Sequence, residues 1–280
     1  MVRGDCLTPD PSVFEGPFNP CTDPCPRINL TIQALTIADE IEAEIMSRVP
    51  MQGTYLGPND FWLRKVDRDI DKLMKADAGR AWLLKSVTQW FKGDVPSIEH
   101  ALNMADQLMP GSWQSHPYRL QIYANLCMAS RAQEVFKSSV DLSFGNLNEG
   151  LPIAMYIGAF QEAVRKIEQA KLAELPIFDE ALVQKTQAAR QILAQTGTDD
   201  QICAKVIDCV GEVLQKNKLF WIETAPALTV CAETQTVSIW FKLDTTFERA
   251  TDLHLELIDL LIQKDLDRLD FFVSLMGHRS

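Results

Sequence analysis

The hydrophobic period changes once along this chain, near Lys216. Before that point apolar residues recur at steps of three and four, the signature of amphipathic helices. After it they alternate one by one, the signature of half-buried strands. A chain divided in this way is neither a simple bundle nor a simple sheet. It reads as mainly α: an irregular helical array followed by a small C-terminal α+β module.

The pattern places the elements. Ala34, Ile37, Ala38, Ile41 and Ile45 share one face of a helix that ends at Pro50. A second helix starts near Asp60, and its interleaved Arg64, Lys65, Asp67, Arg68, Asp71 and Lys72 predict a salt-bridged, exposed outer face. Further helices are expected over about 78–91, 97–109, 118–142, 152–175, 178–195 and 198–216, separated by Gly- and Pro-containing breaks. Then LFWIET, ALTVCAE and TVSIWFKL read as strands, the last two as a hairpin. A helix over 246–264 and a final strand LDFFVSL complete a β-α-β unit over 237–275, whose strands should be parallel and whose crossover should be right-handed. The first 28 residues hold six prolines and three cysteines, a composition that denies regular helix. The expected organisation is a leader at 1–28, the array at 29–216 and the module at 217–280, with a boundary near Asn217.

A repeat underlies part of the array. GDVPSIEHALNMADQLMP from Gly93 and GAFQEAVRKIEQAKLAEL from Gly158 align Ile98 with Ala163, Leu102 with Ile167 and Ala105 with Ala170. Between them, Ala132, Phe136, Ser139 and Leu142 fall at the same relative positions. The copies are offset by 34 and 31 residues, a period typical of paired-helix arrays. Trp82, Ser86, Gly93, Asp94, Ala105 and Pro110 resemble the pattern of a tetratricopeptide repeat, over roughly 78–176. The resemblance implies stacked helical hairpins and a protein-binding role. Lys85 and Gln89 depart from it, standing where that family prefers apolar residues. So do Leu120, at a normally small position, and Pro152, which crowds the first helix of the third copy.

Chemistry is less visible. The formal net charge of −11 argues against a nucleic-acid footprint or an anionic membrane surface, and no apolar run approaches the ~20 residues of a membrane span. The N-terminal residues lack a signal peptide's apolar stretch, and seven scattered cysteines suit reduced thiols in a cytoplasm. Cys21 and Cys25, with Cys6 upstream, fall short of the four grouped ligands of a structural zinc site, so no metal and no cofactor are expected. No nucleophile elbow, phosphate loop or dinucleotide fingerprint occurs. The one thiol–imidazole pairing to consider is Cys231 with His254, Asp252 or Glu256 serving as orienting carboxylate. His254, however, falls on the stripe that should cover the sheet, so no catalytic residue is assigned.

A surface is the stronger signal. In TVSIWFKL and LDFFVSL the apolar set Val237, Ile239, Phe241, Leu243, Leu269, Phe271, Val273 and Leu275 must meet the crossover helix. Trp240 and Phe272 are then left together on the other face. They mark a candidate surface for docking the array or for binding a partner. The chain therefore reads as a non-catalytic interaction or scaffold protein with a protein partner. The alternatives are an enzyme with a dispersed site and a structural subunit of a larger assembly.

Overall fold

The computed structural model describes residues 37–48, 53–110, 115–138, 144–175, 179–219, 221 and 227–279, with the side chains of 144–149 and 278–279 left aside. The leader, with its three cysteines, and Ser139 and Leu142 of the aligned repeat lie outside the described residues. Among those described, eleven helices precede or flank a three-stranded sheet. The helices are α1 (Ile37–Arg48), α2 (Phe61–Leu73), α3 (Ala78–Lys92), α4 (Val95–Leu108), α5 (Ser115–Asn125), α6 (Ala129–Ser138), α7 (Phe144–Tyr156), α8 (Phe160–Leu172), α9 (Glu180–Thr196), α10 (Asp200–Lys216) and α11 (Phe247–Gln263). The strands are β1 (Ala227–Cys231), β2 (Thr236–Thr246) and β3 (Phe271–Arg279). The chain is thus mainly α with a small α+β end.

Aspartate starts five of these helices. Asp60, Asp77, Asp94, Asp179 and Asp199 each accept a hydrogen bond from a backbone N–H three residues on, at 2.8–3.1 Å. Each satisfies one of the orphan donors of a first helical turn. Two helices are capped from elsewhere. Asp200 of α10 accepts from the backbone N–H groups of Gln161 and Glu162 at 2.9 and 3.0 Å, at the start of α8, where Ala159 supplies no side-chain cap. Asp208, two turns further along α10, accepts from the Ser130 N–H at 3.1 Å and its hydroxyl at 2.5 Å, at the start of α6.

Four pairs, α3/α4, α5/α6, α7/α8 and α9/α10, are each joined by two or three residues. In each join one residue has positive φ: Gly93 (69°), Cys127 (52°), Gly158 (69°) and Gly197 (74°). Here the structure departs from the sequence reading. The single helix expected over 118–142 is two, because Cys127 occupies the left-handed turn position that glycine holds in the other three joins. The helix expected over 152–175 is also two; α7 begins at Phe144, ahead of Pro152, and the chain turns at Gly158. A cysteine in a turn carries no glycine or proline signal, so periodicity ran through it.

Lys85 has a specific partner. With Lys92 it grips Asp67 of α2, at 3.0 and 2.9 Å. Burial alone would raise the Asp67 carboxyl, but the hydrogen bonds and charges of Lys92 and Lys85 outweigh it and hold the group below its ordinary range. Asp67 therefore faces α3 rather than the exposed face expected of it. Arg80 of α3 likewise reaches Asp39 and Glu42 of α1, at 2.7 and 3.1 Å.

Two apolar clusters fill the interior. One joins α1–α4 with Ile122 and Leu126; the other joins Leu120, Tyr123 and Cys127 with α6–α10 and the apolar face of the sheet. The passage from one cluster to the other lies at α5, whose opposite sides enter different cores. Around Asn217, which ends α10, the core is continuous: Tyr156 meets Trp221 and Trp221 meets Phe241, each pair edge-to-face at 5.3 Å. Of the strand expected from LFWIET, the described residues show an isolated bridge from Leu219 to Thr54 and the buried Trp221 but no strand; the rest of that stretch lies outside the described residues.

Candidate interaction surface

The sheet order is β1-β2-β3, β1 pairing antiparallel and β3 parallel to β2. The hairpin and the parallel β-α-β pair are those expected from the sequence. β3 runs on to Arg279, four residues past the expected end, and it starts after Leu269, which is exposed. Alternation then divides the side chains. Val237, Ile239, Phe241, Leu243, Phe271, Val273 and Leu275 are buried, against Ala250, Leu253, Leu257 and Leu261 of α11. The array meets this same side: Phe160 at the head of α8 packs edge-to-face on Phe271 at 6.3 Å.

The opposite face carries Trp240, Lys242, Phe272 and Met276, with Ser238 and Ser274 between them. The register sets Phe272 beside Ser238, Ser274 beside Trp240 and Met276 beside Lys242, so Trp240 and Phe272 are diagonal neighbours on adjacent strands. The Trp240 indole N–H donates to the Ser238 hydroxyl at 3.2 Å, which lays the ring along its own strand and helps to bury that serine. Phe272 and Met276 remain 36% and 38% exposed, and Ala227, Thr229 and Lys242 around them are exposed too.

One polar cluster, not anticipated from the sequence, fixes the sheet against the array. Asp270, just ahead of β3, accepts from the hydroxyls of Thr196 (2.6 Å) and Thr198, while Arg268 donates to Asp270 at 3.1 Å and to Thr198 at 2.9 Å. Burial pushes the Asp270 carboxyl up, and the threonine hydroxyls and Arg268 more than offset this, leaving it below its ordinary range. Two threonines at the α9–α10 turn and an Arg and Asp ahead of β3 carry no periodic signal.

The thiol–imidazole pairing is not assembled. Cys231 stands opposite Thr236, on the side of the sheet that carries Trp240, whereas His254 belongs to α11 on the other side. Burial lowers the His254 pKa, and its Nδ1 has no hydrogen-bond partner. A cleft of about 270 Å³ lies instead beside the α5–α6 turn, lined by Tyr55, Cys127, Ser130, Arg131, Asp208 and Gln215 among others. Burial, then the Asp208 charge, pushes the Cys127 thiol far above its usual range, and burial pushes the Tyr55 hydroxyl up to about 12. Both stay protonated at neutral pH. Asp208 is engaged in capping α6, and Arg131 in an ion pair with Glu99. The cleft can admit a small molecule, but its thiol is not activated as a nucleophile.

Among the described residues there is no group of three or more His, Cys, Asp or Glu placed to hold a metal ion, and no helix long and apolar enough to cross a membrane. No family model, curated protein or solved structure matches this chain.

Proposed function

We propose that this chain is an interaction protein whose working surface is the sheet face bearing Trp240 and Phe272, opposite the face packed by α11 and the array. One observation carries the reading. Both α11 and α8 meet the sheet on the same side, so the other side presents an aromatic ring, a methionine and a half-buried indole to whatever approaches. Aromatic and methionine side chains on a rigid sheet are the composition of binding hot spots. The paired helices α3/α4, α5/α6 and α7/α8, with turns at 34- and 31-residue offsets, support reading the array as tetratricopeptide-like scaffolding for that surface.

Changing Trp240 and Phe272 together to serine separates binding from packing. The double variant is expected to melt within a few degrees of the parent and to lose the proteins that co-purify with it. A large drop in melting temperature would place these rings in the core of the fold. An unchanged melt with an unchanged set of bound proteins would remove the face as a working surface.

A further inference from the structure

The cleft beside the α5–α6 turn is bordered by two backbone carbonyls that lack a donor among the described residues. At the end of α5 the carbonyls of Ile122, Tyr123 and Ala124 accept from the N–H groups of Leu126, Met128 and Cys127. Those of Leu126 and Cys127 accept from none. Both residues line the cleft and are otherwise buried, at 6% and 1% exposed. A carbonyl shielded from bulk water and left without a donor is unfavourable. The cleft is the route by which a donor reaches these two.

α10 completes the site. A Cβ on Gly211 would lie 2.7 and 2.8 Å from the Cys127 and Leu126 oxygens, so both are turned toward α10 and only glycine admits them so near. Cα–H contacts are weak, and they leave these oxygens able to accept an N–H donor. Asp208, Gly211, Glu212 and Gln215 fall within about 100° of one another on α10, and all four line the cleft. Asp208 uses two of its roughly four lone-pair positions on Ser130, which leaves it capacity to accept more. The remaining walls, from the Tyr55 ring, Val95 and Met128, are apolar.

The charges decide what kind of donor fits. Arg131 is paired with Glu99, and Glu212 with Lys264, so each of these pairs is neutral. Asp208 has hydrogen bonds but no ion pair among the described residues. The C-terminal end of α5 adds the negative pole of a helix. The site is thus net negative, on a chain of formal charge −11. It opposes an anion, and a neutral molecule leaves the Asp208 charge unanswered.

We infer that the cleft binds a primary ammonium group carried on a compact apolar body. Its N–H groups donate to the Leu126 and Cys127 carbonyls and to Asp208, and its apolar part lies against Tyr55, Val95 and Met128. The donors of a single ammonium nitrogen match acceptors that border the cleft from the end of α5 and from α10. At about 270 Å³ the cleft falls below the ~300 Å³ at which pockets for drug-sized ligands begin, so the body is small, a single ring or a short branched chain. Leu126 belongs to the first apolar cluster and Cys127 to the second, so a bound amine ties the two together. The site uses none of the residues of the Trp240 and Phe272 face.

Methyl NMR of the full chain, labelled at its methionine methyl groups, tests this. Met128 lines the cleft, and Met128→Leu, which conserves volume, identifies its signal. Three probes of one shape are titrated at neutral pH: phenethylamine as the cation, phenethyl alcohol as the neutral analogue and hydrocinnamate as the anion. Phenethylamine at millimolar concentration is expected to move the Met128 signal to saturation, and the other two to bind at least about tenfold more weakly. Asp208→Asn keeps the cap on α6, since asparagine caps as well as aspartate, and should weaken the amine by about tenfold while leaving the alcohol unchanged. No saturable movement of Met128 with the amine overturns the inference, and so does an alcohol that binds as tightly. Both results are read on the parent, whether or not the variant folds. Amine affinity unchanged in Asp208→Asn overturns the part given to that carboxylate. The double variant of Trp240 and Phe272 to serine should bind the amine like the parent, so the cleft and the sheet face stand or fall separately.

Discussion

Gly158 and Gly197 both sit at φ near +70°, where an added Cβ strains the backbone, yet their surroundings differ. A Cβ on Gly197 meets nothing within 4 Å, whereas one on Gly158 would lie 2.6 Å from the Cys203 Cβ. Gly197→Ala is expected to cost the backbone term alone, ~1 kcal/mol. Gly158→Ala should cost ~1–3 kcal/mol more, because α10 must move to admit the methyl. Urea melts decide it, and equal costs would show that α10 yields freely. Asp200 offers a test by pH. Burial drives its carboxyl up to about 6, against the opposing pull of the Gln161 and Glu162 N–H groups. Its folded pKa thus exceeds the unfolded value near 3.9, so the native state holds the proton more tightly between roughly pH 4 and 6. Its contribution to stability is greatest below pH 4, falls as pH rises to 6 and is constant above. Over that window the change is ~2–3 kcal/mol. Asp200→Asn should remove this slope, and urea melts at pH 4 and pH 7 in parent and variant measure it. A slope unchanged by the substitution would assign it to another group.

Among elements, the helix pairs show how far pattern reading reaches. Ala105 and Ala170, picked out by aligning two glycine-headed segments, are fully buried in α4 and α8. Ala170→Leu and Ala105→Leu are each expected to lose ~1–3 kcal/mol by overpacking, read as a lower denaturation midpoint with an unchanged slope. Loss at neither site would detach the alanines from close helix crossings. The 34- and 31-residue offsets in the sequence match the turns at Gly93, Cys127 and Gly158. The turn at Cys127 was invisible because only its backbone, not its residue type, marks it. The alternation of β2 and β3 places Trp240 and Phe272 on one face from the sequence alone, since a period of two leaves no other choice. Contacts between distant residues left no such trace. Asp208 with Ser130, Asp270 with Thr196 and Thr198, and Asp67 with Lys85 and Lys92 join elements whose relative placement depends on the whole packing.

At the scale of the molecule, the sheet is not an appendage to the array. It closes the second apolar cluster from above, while the first is built from α1–α4, and α5 is the helix common to both. Loss of the polar tie at Asp270, whose carboxyl lies below its ordinary range, would be felt where β3 meets the α9–α10 turn rather than at α1. The two caps that α10 supplies to other helices have a further consequence, and it concerns which lengths of chain the lineage can tolerate. Asp200 and Asp208 are eight residues apart, about 12 Å along one helix, and each is seated on the first turn of a different neighbour. One residue inserted or deleted between them would swing one carboxylate by about 100° and strand the donors it serves. α10 therefore acts as a ruler. Its interval from Asp200 to Asp208 should keep its length in descendants of this chain even where the residues between them change, while turns outside that interval are free to grow.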